Sequence, residues 1–337
     1  MASRIDLFYG QSGTAKSTAI AALIAASFAE KGKPWRVLVG DGSAATYIDA
    51  GLVDAGVVEV LDYSIRDWPL STLKALLQGA WPKDVNDPTS PLVPMTPADY
   101  AKLGGYANEG LAVMGQYIMG DQVKGGLAYQ SARGVKIGQD SPMKLTDSDY
   151  INDGLKVVPN TGTGESFGGN PVAHYGFGQR QLMSAFERSK KLPGWVIWTT
   201  HERSAEDKLS KALVIGPEAL GEALTVNLPR HFNNTLHFTT AAKLAKVTDS
   251  HTGKQVGDLD TEYRIYTRDH FHPEGATMVK YKAVTRFPLG ADPKLLKDYY
   301  ASETPGESIL DIYRTIADAK RAQVEKLIAS KPADPAA

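Results

Sequence analysis

The sequence predicts an α/β fold around a central, mainly parallel sheet, on three observations. Short apolar runs at residues 5–9, 35–40, 57–63 and 194–200 recur between helix-patterned stretches, the spacing of strand–helix–strand units. A glycine-containing loop separates the first run from the first helical stretch. The last third changes character, with successive β-like segments set apart by turn residues and one helix after them.

The opening strand runs into Gly10, Gln11, Ser12, Gly13, Thr14, Ala15, Lys16, Ser17 and Thr18, and an alanine-rich stretch follows to residue 30. In this order of strand, loop and helix, backbone N–H groups and a helix N-terminus surround an anion, which predicts a phosphate-binding loop. Lys16 would reach the terminal phosphates of a nucleotide and the Ser17 hydroxyl would take one Mg²⁺ position, so ATP and Mg²⁺ are the expected ligands. Ala15 stands before the lysine, where glycine would ease close backbone approach, and its methyl group carries strain. The competing reading of the same residues is a Gly/Ser-rich turn that precedes a helix. A similar Gly-x-x-Gly-x-Ala-Lys-Ser loop occurs in MCM-type helicases, and that resemblance implies a working ATP site.

Residues 35–40 read as a second buried strand ending at Asp41, and residues 57–63 as a third, followed by a helix-like segment at 71–77. Residues 82–97 are rich in proline, aspartate and serine, which is loop chemistry. A short strand is expected within 106–112 and the start of a helix at 112–119; residues 120–174 are polar and glycine-rich. An excursion of this length, 82–174 in all, predicts a functional flap, a partly mobile segment or a small insertion. Helical pattern resumes at 175–191, a buried strand follows at 194–200, and strands are expected at 235–241, 262–267 and 278–287. In residues 307–328, Leu310, Tyr313, Ile316, Val324 and Leu327 fall near one helical face. The expected organisation is a nucleotide-binding domain over 1–304 with the insertion, an amphipathic helix over 305–330, and a disordered tail over 331–337.

Composition narrows the function classes. With 337 residues, 42% hydrophobic and 22% charged, the chain is ordinary for a globular protein. A net charge of −1 gives no overall basic field, so any nucleic-acid surface has to be local. The absence of cysteine removes disulfides, thiolate zinc sites and cysteine nucleophiles together. Seven histidines show no paired metal-ligand spacing; His270 and His272, beside Pro273 and Gly275, read as a turn. The longest apolar stretch, 19–26, is far too short to span a bilayer, and the N-terminus runs straight into a strand with no signal peptide. A cytoplasmic protein with no membrane partner is the expectation.

Hydrolysis needs a carboxylate near Mg²⁺ and a group that positions water. Asp41, ending the second strand, can point at the phosphates across the top of the sheet, or be a turn aspartate beside Gly42. Glu109 lies at a plausible strand end before a helix, or is a helix-start carboxylate. His201, in the segment Thr199-Thr200-His201-Glu202-Arg203 that closes an apolar strand, can orient water or sense the γ-phosphate, or be a surface histidine. Lys280, Lys282, Val284 and Arg286 fall on one strand face by period-2 alternation, which suits an anion opposite or a solvated sheet face.

Taken together, these motifs resemble the RecA-like branch of P-loop ATPases, over about residues 4–70 and 175–290. The phosphate-loop strand comes first, then a strand ending near an acid, then a strand ending in a polar sensor, with further β-strands after them. The resemblance implies that Asp41 is the water-activating base and Glu109 the acid on the Mg²⁺ side. Lys280-Tyr281-Lys282 matches in form the Lys-x-Lys pair that, in bacterial RecA, reaches into the neighbouring subunit's ATP site. The phosphate loop, residues 199–202 and the late basic strand look closer still to phage-encoded RecA-like ATP-binding proteins of recombination and replication modules. That likeness implies an ATPase acting on single-stranded DNA as a homo-oligomer, with Lys280, Lys282 or Arg286 neutralising charge across a subunit boundary. Lys124, Arg133, Lys136 and Lys144, with Tyr129 and Tyr150, are then the candidate DNA contacts, against the alternative of a plain solvated loop. Two other classes fit the same motifs: an ATP-driven packaging or assembly motor that docks a partner through the C-terminal helix, and a nucleotide-gated protein-binding module with negligible turnover.

Overall fold

Six of the seven residues of the opening strand, β1 (Arg4–Gly10), are buried, and the central sheet extends to both sides of it. The computed structural model describes residues 4–40, 42–62, 79–87, 89–112, 182–192, 194–206, 213–219, 222–248, 255–274, 277–288 and 291–330, with short pieces at 76, 158–159, 166–167 and 179. The later strands of the two larger sheets are β2 (Trp35–Val39), β3 (Val58–Asp62), β4 (Gly105–Asn108), β5 (Trp195–Thr200), β6 (Glu202–Glu206) and β7 (Leu213–Pro217). They continue as β8 (Asn234–Thr248), β9 (Gln255–Tyr266), β10 (His270–Glu274), β11 (Thr277–Tyr281), β12 (Val284–Thr285) and β13 (Tyr299–Ser302). Helices are α1 (Lys16–Lys31), α2 (Ala44–Asp49), α3 (Pro97–Ala101), α4 (Glu222–Asn227) and α5 (Pro305–Ala329), and residues 182–189 are helical as well.

The central sheet has the order β13-β9-β8-β1-β5-β4-β2-β3, with β12 on β8. From β8 to β3 all neighbours are parallel, and β9, β12 and β13 are antiparallel additions. The protein is therefore mixed α/β with a large, mainly parallel central sheet, as the alternation of apolar runs predicts. Parallel strands covered by helices on both faces lose their polar alternation, and side chains of alternate parity feed two cores. On one face Phe8, Val37, Val39, Ala107, Ile197 and Leu236 pack with Ile20 and Ile24 of α1, Tyr47 of α2 and Ile309, Ile312 and Tyr313 of α5. On the other, Leu7, Leu38, Tyr106, Val196 and Trp198 pack with Leu182, Phe186 and Phe232.

Helix α5 extends the expected 307–328 segment by a residue or two at each end, and its first turns belong to the main core. Further along, its apolar face runs past the body: Val324, Leu327 and Ile328 are exposed. Among the described residues no helix is long and apolar enough to cross a membrane.

Three local expectations are corrected. Residues 278–287 do not form one strand: β11 stops at Tyr281, and β12 starts at Val284 in the other sheet. The break is fixed by hydrogen bonds from Lys282 N to Ile215 O and from Ala283 N to Asp269 Oδ1, both 3.0 Å. His270 and His272 are not in a turn; they lie on β10, paired with Tyr281 and Val279. A second sheet, β6-β7-β11-β10, was not expected at all. The segments expected as helices at 71–77 and 112–119, and residues 120–174 and 331–337, fall wholly or mostly outside the described residues.

Candidate functional site: the phosphate loop and the end of β4

The loop between β1 and α1 is folded by contacts its own residues dictate. Gly10 has no room for a side chain, since a Cβ there would come within 2.0 Å of Phe238 O. The Thr14 side chain is buried and its hydroxyl donates to Gln11 O at 2.8 Å. Ala15 takes φ 63° and ψ 30°, the left-handed region, and is the only non-glycine residue with positive φ among those described. Left-handed backbone is a strain separate from the close approach to phosphate weighed in the sequence, and an L-residue there costs about 1–2 kcal/mol. Ala15→Gly relieves it but loosens the unfolded chain by about 0.4–1 kcal/mol. Urea denaturation should show stability unchanged or raised by about 0.5 kcal/mol; a clear fall would mean that the methyl group packs.

Lys16 and Ser17 open α1. The Lys16 ammonium donates to Gly10 O at 3.0 Å and Gln11 O at 2.8 Å, so its charge lies over the loop it is expected to serve. The Ser17 hydroxyl donates to Glu109 Oε2 at 2.5 Å. Glu109 follows β4, two strands from β1 across β5, and is 1% exposed. Its backbone N–H bonds Leu38 O at 2.7 Å, and the next N–H, of Gly110, bonds Thr199 Oγ1 at 3.1 Å. The end of β4 is thus stitched to β2 on one side and β5 on the other. Its second carboxylate oxygen accepts from the Tyr47 hydroxyl of α2.

No protein-family model and no curated protein matches the chain.

The structure brings Gly10, Gln11, Thr14, Lys16, Ser17 and Glu109 together. His201 follows Thr200, which pairs with Tyr9, so register sets it beside Gly10 at the start of the loop. Asp41 lies outside the described residues. The basic face of residues 280–286 is dispersed. Lys280 forms an ion pair with Asp269 at 2.7 Å, and the Lys282 carbonyl accepts from the Tyr9 hydroxyl of the same chain at 2.5 Å. Arg286 donates through its guanidinium to Arg230 O at 3.1 Å, and its N–H bonds Asn234 Oδ1 at 3.1 Å. Asn234 pairs with Asp6, four residues before Gly10, which puts the Arg286 backbone at the opposite end of β1 from the loop.

Sequence reasoning missed the roles of four side chains at or behind the site: Tyr47, Glu202, His237 and His270. Tyr47, in a helix of six residues, carries no motif that marks it. Glu202 accepts from Gln11 Nε2 at 2.9 Å and lies 3.0 Å from His237 Nε2. His237, 2% exposed, stacks on Tyr9, Tyr281 and His270. Burial pushes the Glu202 carboxyl up, but hydrogen bonds from His237 and Gln11 and the nearby Lys16 charge hold it below its ordinary range. Burial pulls His237 down, against the raising effect of Glu202. His270 falls to about 4 through burial and the charge of His237.

Proposed function

We propose that this chain is a Mg²⁺-dependent nucleoside-triphosphate hydrolase of the RecA-like kind. One observation carries the reading: the Ser17 hydroxyl at the start of α1 and the buried Glu109 carboxylate after β4 meet at 2.5 Å beside Lys16. Mg²⁺ in a nucleotide site takes one or two protein oxygens, with phosphate and water completing an octahedron. A hydroxyl and a carboxylate side by side are a donor set that fits it. When bound, the ion would neutralise charge between the β- and γ-phosphates.

The chain's own residues do the rest. Backbone N–H groups of the loop and the N-terminus of α1 bind the phosphates. Lys16 moves its ammonium from the Gly10 and Gln11 carbonyls to phosphate oxygens. Tyr47 fixes one Glu109 oxygen so that the other stays on Ser17. The ends of β1 and β5 bring His201 to the rim, where an imidazole can orient water or sense the γ-phosphate. ATP is the nucleotide we assign, and action on single-stranded DNA as an oligomer comes from the RecA-like resemblance. The candidate DNA contacts Lys124, Arg133, Lys136, Lys144, Tyr129 and Tyr150 fall outside the described residues. One observation favours the protein-handling alternative instead: the exposed Val324, Leu327 and Ile328 on the last turns of α5, an apolar end suited to docking a partner.

Steady-state ATPase assays of the full chain, with and without Mg²⁺ and single-stranded DNA, test the reading. Lys16→Ala is expected to abolish turnover, and DNA to stimulate the wild type with binding that weakens steeply as salt rises. Normal hydrolysis by the Lys16 variant would remove the loop from the mechanism. Turnover indifferent to DNA, with no DNA binding at low ionic strength, would leave the hydrolase but end the DNA role.

A further inference from the structure

Glu202 stands between the phosphate loop and two stacked histidines, His237 buried and His270 half-buried. Its Oε1 accepts from Gln11 Nε2 at 2.9 Å and its Oε2 faces His237 Nε2 at 3.0 Å. His237 Nδ1 is 3.3 Å from His270 Nε2, and His270 Nδ1 is 3.4 Å from Arg268 O. Around this chain lie Tyr9 of β1, Tyr266 of β9, His272 of β10 and Tyr281 of β11, with the charges of Lys16 and Asp269 nearby.

Counting protons fixes the direction of the hydrogen bond at Glu202. A carboxylate and a carbonyl close the two ends of the chain, and both only accept. Three links need three N–H groups, and two neutral imidazoles supply two. Glu202 is an anion, so His237 Nε2–H donates to it, and the single N–H of His270 serves either His237 Nδ1 at 3.3 Å or Arg268 O at 3.4 Å. The histidine pair therefore holds Glu202 by one well-made bond, and Glu202 in turn holds Gln11.

Gln11 matters because its backbone carbonyl accepts from both Lys16 Nζ and Thr14 Oγ1, each at 2.8 Å. We propose that Glu202, oriented by His237 and His270, is a positioning residue that tethers Gln11 and so presets the phosphate loop for its triphosphate. The proposal rests on the loop binding a nucleotide, and it adds a second anchor, in the smaller sheet, to the one that Glu109 provides.

The test is calorimetric binding of a non-hydrolysable ATP analogue with Mg²⁺ to the full chain, alongside thermal melting of each variant. Loss of one charge-assisted hydrogen bond predicts about tenfold weaker binding for Glu202→Ala. Gln11→Ala, a change at an exposed side chain that keeps the carbonyl, should weaken binding equally. The double variant should bind no worse than either single one, because both remove the same tether. Glu202→Gln, which keeps the bond but not its charge, should bind between wild type and Glu202→Ala. Its amide can donate to His237 Nε2, so that His237 Nδ1–H donates to His270 and His270 Nδ1–H to Arg268 O, closing every link with neutral rings. Wild-type affinity in Glu202→Ala, tighter binding in it, or multiplying losses in the double variant would each overturn the tether while leaving the nucleotide site intact. A wild-type chain that binds no analogue would instead end the hydrolase reading, and the tether with it.

Discussion

Glu109→Gln is expected to lower Mg²⁺-dependent ATP turnover by roughly 10³-fold while leaving the fold as stable as before, or more so. The two effects have separate causes. A metal ion that neutralises phosphoryl charge supplies several kcal/mol to the transition state, and each 1.36 kcal/mol lost is a tenfold drop. Glutamine is nearly isosteric, so its carbonyl can still accept from Tyr47 and its amide can still meet the Ser17 oxygen. What disappears is the negative charge of a side chain that is 1% exposed. Holding such a charge out of water is costly, and neutral isosteres at buried sites commonly preserve or raise stability. Turnover at saturating nucleotide, titrated with Mg²⁺, and a denaturation curve on the same preparation check both halves. Unchanged turnover would reduce Glu109 to a helix-start carboxylate. Lost turnover with a lowered stability would mean that the variant is merely misfolded.

What the sequence discloses and what it hides divide along physical lines. The loop at 10–18 and strands β1, β2, β3 and β5 are legible because they are local patterns: apolar runs, glycines at a turn, an alanine-rich helix. Strand β4 reads only weakly, yet all four of its residues are buried. Its apolar cover comes from elsewhere, with Gly105 lying under Trp35 and against Trp195, where a Cβ would come within 2.6 Å. A strand whose first residue is kept small to receive the Trp35 ring shows no hydrophobic run of its own. The basic residues at 280–286 mislead for the converse reason. Their alternation is real, but the chain leaves one sheet for the other at Lys282 and Ala283, and no period-2 pattern registers a change of partner. Glu202 and His237 are 35 residues apart and meet only because β8 pairs with β1 while β6 turns away after β5. Contacts of that kind exist in the topology and not in any window of sequence.

The same distinction governs the largest expected loss of stability, at Asp6, the one charged residue in the apolar run 5–9 of the opening strand. It is fully buried and accepts five hydrogen bonds. Arg4 Nε, Trp195 Nε1 and the Tyr313 hydroxyl reach Oδ2 at 2.7, 2.8 and 2.9 Å. Asn234 N and Nδ2 reach Oδ1 at 3.1 and 2.7 Å. One carboxylate thus joins β1 to β5, β8 and α5, while the Arg4 guanidinium lies over the rings of Trp195 and Tyr313 at 5.0 and 4.3 Å. Asp6→Ala strands several buried donors and an arginine, a loss of about 3–5 kcal/mol, a large share of the 5–15 kcal/mol that typically holds a domain. Asp6→Asn should be nearly as damaging, although it matches the shape. Four of the five partners are N–H groups that only donate, two of them on each oxygen, so the new NH₂ group must face a donor whichever way it turns. Turning the Asn234 amide to offer its oxygen would take that oxygen from the Arg286 N–H. Equilibrium urea unfolding of both variants is the measurement, with nucleotide affinity of the remaining folded fraction as control. A loss below about 1 kcal/mol in Asp6→Asn would show that the network tolerates a donor at its centre, and the anchoring of α5 would then have to come from its apolar face alone.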